Sequence, residues 1–270
     1  MKHSTAEAQR RAPCGDYETS LFDRFYDLRN RNFFYSGRAR IIETLLKSDA
    51  GKIACRPDKI KIVDVGFGHG SKISKDSLPD AITVGVDINY NSLSRIKGMA
   101  GADTVLVNAD IQALPFKESF DMAMALDILE HVDDDALALD MIYRSCKKGA
   151  LLIMTVPATP SMYGIFDRLA FHKKRYSAGE LRKKLEKAGF SVKKLSYFIS
   201  ILFPVIYLYR KLREFCFRHD QDASIANMAE TRTVPFVNGL CMATMIAESM
   251  LIGRFDLPFG SSIVALAKKE

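Results

Sequence analysis

From Lys59 onward, unbroken apolar runs alternate with amphipathic stretches. "IKIVDV" is β-branched and uninterrupted, the composition of a strand buried on both faces of a parallel sheet. "AITVGVDIN" and "DTVLVNAD" repeat the pattern, carrying Asp87 and Asp110 near their ends. "SFDMAMALDILEHV" predicts a fourth strand running into a loop. "ALLIMTVP", "SVKKLSYF" and "SSIVALAKK" predict three more. Between them, "SKISKDSL", "SLSRIKGMA", "DDALALDMIYRSCKKG" and "SAGELRKKLEKAGF" read as helices. The third has aspartates at its start and Lys147, Lys148 and Gly149 at its end, as the helix dipole and a C-cap prefer. The fourth opens with Ser177 and Glu180 in a capping-box spacing. Strand and helix in alternation predict an α/β fold with a doubly wound sheet. In such sheets ligands bind outside the carboxyl ends of the strands, where strand order reverses.

Two regions break the alternation. Before the first strand, "LFDRFYDLRNRNFFYSGRARIIETLLK" reads as helical and crowded with aromatics, expected either as a face packed on the core or as a lid over a ligand. Before the last strand lie about sixty residues holding "LSYFISILFPVIYLYRKLREF" and "VPFVNGLCMATMIAESMLIG". The first of these has an apolar part too short and too interrupted by Pro204 to span a bilayer, which needs roughly twenty residues. With basic residues on both sides it suits either a helix lying in a membrane interface or a cap buried on the sheet. The expected organisation is a flexible tail over 1–20 and an N-terminal helical lid over 21–58. The binding domain is expected over 59–198 plus 260–270, with a helical insertion or cap over 199–259.

Composition narrows the class. The chain is 48% hydrophobic and 26% charged, enough to bury a core, which excludes an intrinsically disordered chain. Its net charge of +7 favours acidic partners, yet no nucleic-acid-binding signature accompanies it. Five cysteines, none in a CxxC pair, argue against a disulfide framework or a zinc site and fit a reducing compartment. The polar N-terminus lacks a signal-peptide core. The expectation is a cytoplasmic protein, with peripheral contact to the inner face of a membrane left open.

The chemistry centres on "IVDVGFGHG", residues 62–70. A phosphate loop of the GxxxxGK[ST] type lacks its second glycine here. A dinucleotide loop, GxGxxG, would need its third glycine at Ser71, although Asp87 supplies the ribose-binding acid about twenty residues on. The third glycine is instead Gly70. With Asp64, Gly66 and Gly68 it forms Asp-x-Gly-x-Gly-x-Gly. In this the chain resembles the class I S-adenosylmethionine-dependent methyltransferases.

Later segments carry the same resemblance: "VGVDIN", "NADIQALPF", "FDMAMALDILEHVDD" and "KKGALLIMTVP". It implies a Rossmann-like seven-stranded sheet whose last strand is antiparallel, with S-adenosyl-L-methionine as cofactor. By the resemblance, Asp64 stands at the cofactor's amino end. The loop glycines Gly66, Gly68 and Gly70 lie against its amino acid and ribose, and Asp87, with Ile88 beside it, faces the ribose hydroxyls. Asp110 accepts from the adenine amino group, Ile111 packs on the ring, and Leu126 and Asp127 lie beside the methionyl part. One departure is His69, where the family more often has a small polar residue.

"DRLAFHKKRYSAGEL" resembles a segment of bacterial methyltransferases, with Lys174 replacing the usual first arginine. Ser177 and Glu180 are explained by helix capping. His172, Arg175 and Tyr176 are left over, in a stretch expected to face the reacting methyl group. His172 is the candidate general base, with His131 as its rival, and Arg175 and Tyr176 are candidate acceptor contacts. The apolar insertion points to a small apolar acceptor, with oxygen as the favoured acceptor atom. An Asn-Pro-Pro-Tyr-type motif used on exocyclic amines is absent, which argues against nucleic acid as acceptor. Two rival readings stand beside this one: a methyltransferase fold that only binds or regulates, and a nicotinamide-dependent oxidoreductase.

Overall fold

The computed structural model describes residues 32–49, 59–68, 70, 81–216 and 235–270. The strands are β1 (Lys61–Val65), β2 (Ile82–Asp87), β3 (Thr104–Asn108), β4 (Phe120–Leu126), β5 (Cys146–Pro157), β6 (Phe190–Phe198) and β7 (Ser262–Lys269). They form one sheet in the order β3-β2-β1-β4-β5-β7-β6. The first five are mutually parallel where they pair, and β7 runs antiparallel to both β5 and β6. The doubly wound sheet with an antiparallel last strand is therefore present as expected. Strand order reverses between β1 and β4, which places a crevice at their carboxyl ends.

Alternation along the central strands sends side chains to two cores. Val63, Val65, Ala123, Ala125, Leu152 and Met154 pack on one face. There they meet α3 (Asp135–Ser145) and α5 (Ala178–Lys187) through Leu139, Ile142, Leu181 and Leu185. Ile62, Met122, Met124 and Ile153 point the other way. They meet α1 (Phe33–Asp49) and α7 (Pro235–Ile252) through Ile41, Ile42, Leu45, Leu46, Met245 and Ile252. The two helices interlock closely: a methyl group on Gly37 would come within 2.7 Å of Met245. Helices α1 and α7 thus form one helical layer on this face of the sheet.

The remaining helices are α2 (Tyr90–Ile96), α4 (Ile165–Leu169) and α6 (Phe203–Cys216). Asn89 caps α2, accepting from the backbone N–H groups of Asn91 and Ser92. Ser177 caps α5, accepting from Glu180 N at 3.2 Å, as its spacing predicted.

One boundary differs from expectation. Helix α3 ends at Ser145, and residues 146–149 already belong to β5. Cys146 pairs with Phe120 in the sheet, and Lys147 Nζ reaches Asp121 Oδ1 at 2.9 Å. Lys147 and Lys148 are therefore strand residues, and Gly149, at φ +79°, bends β5 rather than ending a helix. Ladder pairing of the neighbouring strand outweighed a local C-cap signal. The tail over 1–20, the first part of the N-terminal helix, the helix expected at 71–78, and His69 lie outside the described residues.

Candidate active site

The glycine loop follows directly from the end of β1. Gly66 N and Phe67 N both donate to Val86 O, at 2.8 and 2.9 Å, and Gly70 N donates to Phe67 O at 2.7 Å. These bonds fold the chain sharply over the carboxyl end of β2. Gly66 sits at φ +73°, and a Cβ there would lie 2.7 Å from the Ile128 side chain, so both conformation and space demand glycine. Gly68 differs: among the described residues a Cβ there would meet nothing nearer than 3.8 Å.

Asp87 ends β2 and holds the loop. Its Oδ2 accepts from Gly68 N at 2.7 Å and its Oδ1 from Asn89 N at 2.8 Å. Ile88 beside it is 70% exposed, unusual for an isoleucine with a core adjacent. Asp110, after β3, caps the short 3₁₀ turn Ile111–Ala113, accepting from Gln112 N at 2.8 Å, while Ile111 is buried. Asp64 is buried within β1, in register with Gly85 and Met124. One acid ends β2 and another follows β3, both on the same side of the glycine loop after β1, and each can accept from hydroxyl or amino groups of a ligand.

Leu126 ends β4, and Asp127 follows at φ +52°, a left-handed conformation that aspartate tolerates better than most residues. Several bonds hold it there. Its N–H donates to Thr155 O at 2.9 Å, and Oδ1 accepts from Thr155 Oγ1 at 2.9 Å. Oδ2 pairs with Arg38 Nη1. Arg38 comes from α1, with its guanidinium over the rings of Phe34 and Tyr35. Arg38 and Thr155 are contacts that sequence reading missed. No spacing links them to Asp127, and only sheet register and helix docking do.

Beyond Asp127, the 3₁₀ turn Leu129–His131 turns Glu130 inward. Glu130 is wholly buried, and neither carboxyl oxygen has a hydrogen-bond partner among the described residues. Burial first, and then the charge of Asp127, push its carboxyl well above the usual carboxylate range. His131 and His172 lie edge to face with centroids 4.9 Å apart. Burial, and then the neighbouring His172, push His131 down, while a bond to the Phe171 carbonyl holds its ring. His131 is therefore neutral near pH 7. His172 Nδ1 lies 3.2 Å from Asp167 Oδ1, and Nε2 lies 3.8 Å from Glu130 Oε1. One nitrogen or oxygen from each of Glu130, His131 and His172 falls within 4.8 Å of the others. Two histidines and a buried carboxyl thus cluster next to the end of β4.

Arg175 and Tyr176, expected as acceptor contacts, are both buried. Tyr176 is 0% exposed, and its hydroxyl lies 3.1 Å from Leu129 O and 2.9 Å from Asp135 Oδ2. Arg175 is buried with Nε on Asp167 Oδ1 at 2.8 Å and Nη1 on Ala158 O at 2.9 Å. Pro157 O accepts from Tyr176 N at 2.9 Å, pinning this segment beneath the end of β5. The Tyr176 hydroxyl and the Nε and Nη1 donors of Arg175 are engaged inside the protein. Their work is to fix the loop that carries His172.

Comparisons with known proteins bear on this geometry. Residues 63–154, from β1 into β5, match a family model described as a methyltransferase domain. A ubiquinone biosynthesis O-methyltransferase of Pseudomonas putida is 27% identical over 109 residues, 38% of this chain and 47% of the relative. Its counterpart in Pseudomonas syringae pv. syringae is 26% identical over the same length and shares. The chain thus spans about half the length of the curated relatives it matches. Among solved structures, a chain from the complex between the Haloferax volcanii Trm112 methyltransferase activator and a putative methyltransferase superposes with a TM-score of 0.58. It is 16% identical, covering 96% of this chain and 99% of that one. A putative sarcosine dimethylglycine methyltransferase from Galdieria sulphuraria gives 0.53 at 16% identity, covering 85% of each. At such identities the structures speak for the fold alone. The family match over the first five strands, set in this strand order, marks residues 63–154 as similar to a methyltransferase domain on the fold those structures share.

Proposed function

We propose that this protein transfers a methyl group from S-adenosyl-L-methionine to a hydroxyl of a small, apolar acceptor. The residues at the crevice fit the cofactor: Asp87 for the ribose diol, Asp110 and Ile111 for the adenine, and the backbone of Gly68 for the amino acid end. Asp64, Leu126 and Asp127 complete its methionyl side. Once bound, the cofactor supplies an activated methyl group with its leaving group already attached. What the chain must add is alignment and, for a hydroxyl acceptor, a place for the proton.

The observation that carries the oxygen reading is the His131–His172 pair beside Asp127. Methyl transfer to a neutral amine needs no base in the transfer step, whereas an alcohol or phenol gains from one. His172, whose Nδ1 faces the carboxylate of Asp167, is the proposed proton acceptor, and neutral His131 is placed to pass the proton onward. Support of a second kind comes from relatives named as ubiquinone biosynthesis O-methyltransferases.

The exposed face of α6 supports an apolar acceptor met at a membrane surface. Val205, Leu208, Leu212 and Phe215 are 70, 59, 54 and 80% exposed. They recur at helical spacing, so they form one stripe, with Lys211 exposed at its edge. No helix among the described residues is long and apolar enough to cross a membrane. The proposed location is peripheral, on the cytoplasmic face of a membrane.

Calorimetry with S-adenosylhomocysteine, followed by label transfer from methyl-tritiated S-adenosylmethionine to apolar phenols and to primary amines, tests the reading. Cofactor binding with label on the phenols is expected. Failure to bind S-adenosylhomocysteine would overturn it. Label on amines alone would overturn the oxygen assignment.

A further inference from the structure

Helix α6 belongs to the insertion, yet its inner face is clasped onto α4, the short helix after β5. Glu214 accepts from Ile165 N at 2.8 Å and from Arg168 Nη2 at 3.0 Å. Tyr209 stacks on Phe166 with centroids 6.1 Å apart. Arg210 lies over the same Phe166 ring and reaches past it to Asp167 Oδ2 at 3.3 Å.

Asp167 is the centre of this contact. It is 1% exposed and receives four donors. Gly164 N and Arg210 Nη1 bind Oδ2 at 3.1 and 3.3 Å, and Arg175 Nε and His172 Nδ1 bind Oδ1 at 2.8 and 3.2 Å. Burial alone would push this carboxyl up. The bond to His172, then the bond and charge of Arg175, then the charge of Arg210 outweigh burial and hold it at about 2. Asp167 is thus an anion throughout the neutral range. It can only accept, so when His172 carries a single proton, that proton belongs on Nδ1 and Nε2 is left bare. The bare nitrogen is the one turned toward Glu130.

We propose that Arg210 is a positioning residue for His172: acting through Asp167, the insertion helix fixes which ring nitrogen of His172 is free to take the acceptor's proton. The insertion is then part of the proton-handling apparatus. One arginine from the fifth-strand loop, Arg175, and one from the insertion, Arg210, hold the two oxygens of the same carboxylate. Each locks it against rotation in a way one alone does not. The inference rests on the reading of His172 as the proton acceptor, and predicts a tautomer that can be observed without knowing the acceptor.

Long-range nitrogen-15 correlation spectra of the full chain, bound to S-adenosylhomocysteine and recorded at about pH 8, where free imidazole is neutral, read the tautomer directly. His172→Gln supplies the assignment. The expected spectrum shows the Nδ1–H form in about tenfold excess or more, the bias that one charge-assisted hydrogen bond gives. In Arg210→Gln that excess falls by about threefold or more, and Arg210→Lys restores part of it. An Nε2–H tautomer in the parent protein overturns the proposal without any variant. An unchanged ratio in a folded Arg210→Gln protein overturns it equally. Turnover of His172→Gln on a phenol that the parent protein methylates separates the two levels. Full activity there defeats the reading of His172 as the proton acceptor, whereas lost activity with an unmoved Arg210→Gln tautomer defeats only the role given to Arg210.

Discussion

The rings of His131 and His172 meet edge to face with centroids 4.9 Å apart. One comes from the turn after β4 and the other from the loop before α5. If they share the proton work, neither substitution alone should disturb cofactor binding. For His172→Gln we expect kcat on a phenolic acceptor to fall by about 10²-fold or more, the usual scale of general-base catalysis, and for His131→Gln by a smaller factor. Affinity for S-adenosylhomocysteine, measured by calorimetry, should stay within about twofold in both. A parallel loss of affinity would mean that the rings support the cofactor pocket instead.

Glu130 gives a stability signature. Its buried carboxyl keeps its proton above the pH at which an unfolded glutamate loses one. In that window the folded state binds more protons than the unfolded state, so stability falls as pH rises. It is full below the ordinary glutamate range and is lost progressively toward the raised folded value. Glu130→Gln has no proton to lose. Its melting temperature relative to the parent should therefore rise between about pH 4 and pH 8, by about 3 °C for each kcal/mol involved. A constant difference across that range would show that Glu130 is not held protonated.

Two changes at the crevice should separate cofactor binding from folding. Asp87→Ala removes a carboxylate that now orders Gly68 and is proposed to hold the ribose diol. S-adenosylhomocysteine affinity should drop by about tenfold or more, since hydrogen bonds to a charged group are worth roughly 1.5–3 kcal/mol. Gly66→Ala puts a methyl 2.7 Å from Ile128 at φ +73°. It should lose both affinity and thermal stability. Retained affinity in Gly66→Ala would contradict the loop geometry.

Tyr176→Phe discriminates the buried role from an acceptor contact. It deletes a hydroxyl that bonds Leu129 O and Asp135 Oδ2; Leu129 O loses this buried donor, while Asp135 keeps Lys174 and Lys184. Unfolding free energy should fall by about 1–3 kcal/mol, with KM for the acceptor unchanged when the assay is run well below the melting temperature. A changed KM at unchanged stability would return Tyr176 to the acceptor site.

The outer face of α6 predicts lipid binding. Leu208→Ser and Leu212→Ser together remove exposed side chains that contribute little to folding. Co-sedimentation with vesicles rich in phosphatidylglycerol should fall by about tenfold or more, since each buried apolar side chain is worth about 1.5–3 kcal/mol, and the melting temperature should hold. Equal sedimentation of parent and variant would place any membrane contact elsewhere.

The fold was largely legible because its signals are local. Fully buried parallel strands must be continuous apolar runs, and β1, β2 and β4 were recognisable from "IKIVDV", "AITVGVDIN" and "FDMAMAL" without neighbours in view. The misplaced end of α3 shows the limit. "SCKKG" satisfies a helix terminus locally, but pairing with Phe120 claims Cys146 for the sheet. The chain could not announce that pairing, because the partner is set by strand order.

The candidate site divides in the same way. Asp87, Asp110 and the glycines stand in one short span each, and the roles expected of them come from the family resemblance those spans carry. His131 and His172 were both candidates as isolated residues, but their contact, and their closeness to Glu130, depend on two loops meeting. Arg38 on Asp127 and Arg210 on Asp167 join segments far apart in the chain. Tyr176 looked free for an acceptor until Leu129 and Asp135 closed over it. By itself the sequence determined which segments are strands and which residue types crown them, since hydrophobic period and backbone sterics act within a few residues. Tertiary structure alone decided which carboxyl is buried, which histidines touch and which arginines reach them, because burial and charge pairing depend on neighbours that only the packed sheet and helices bring together.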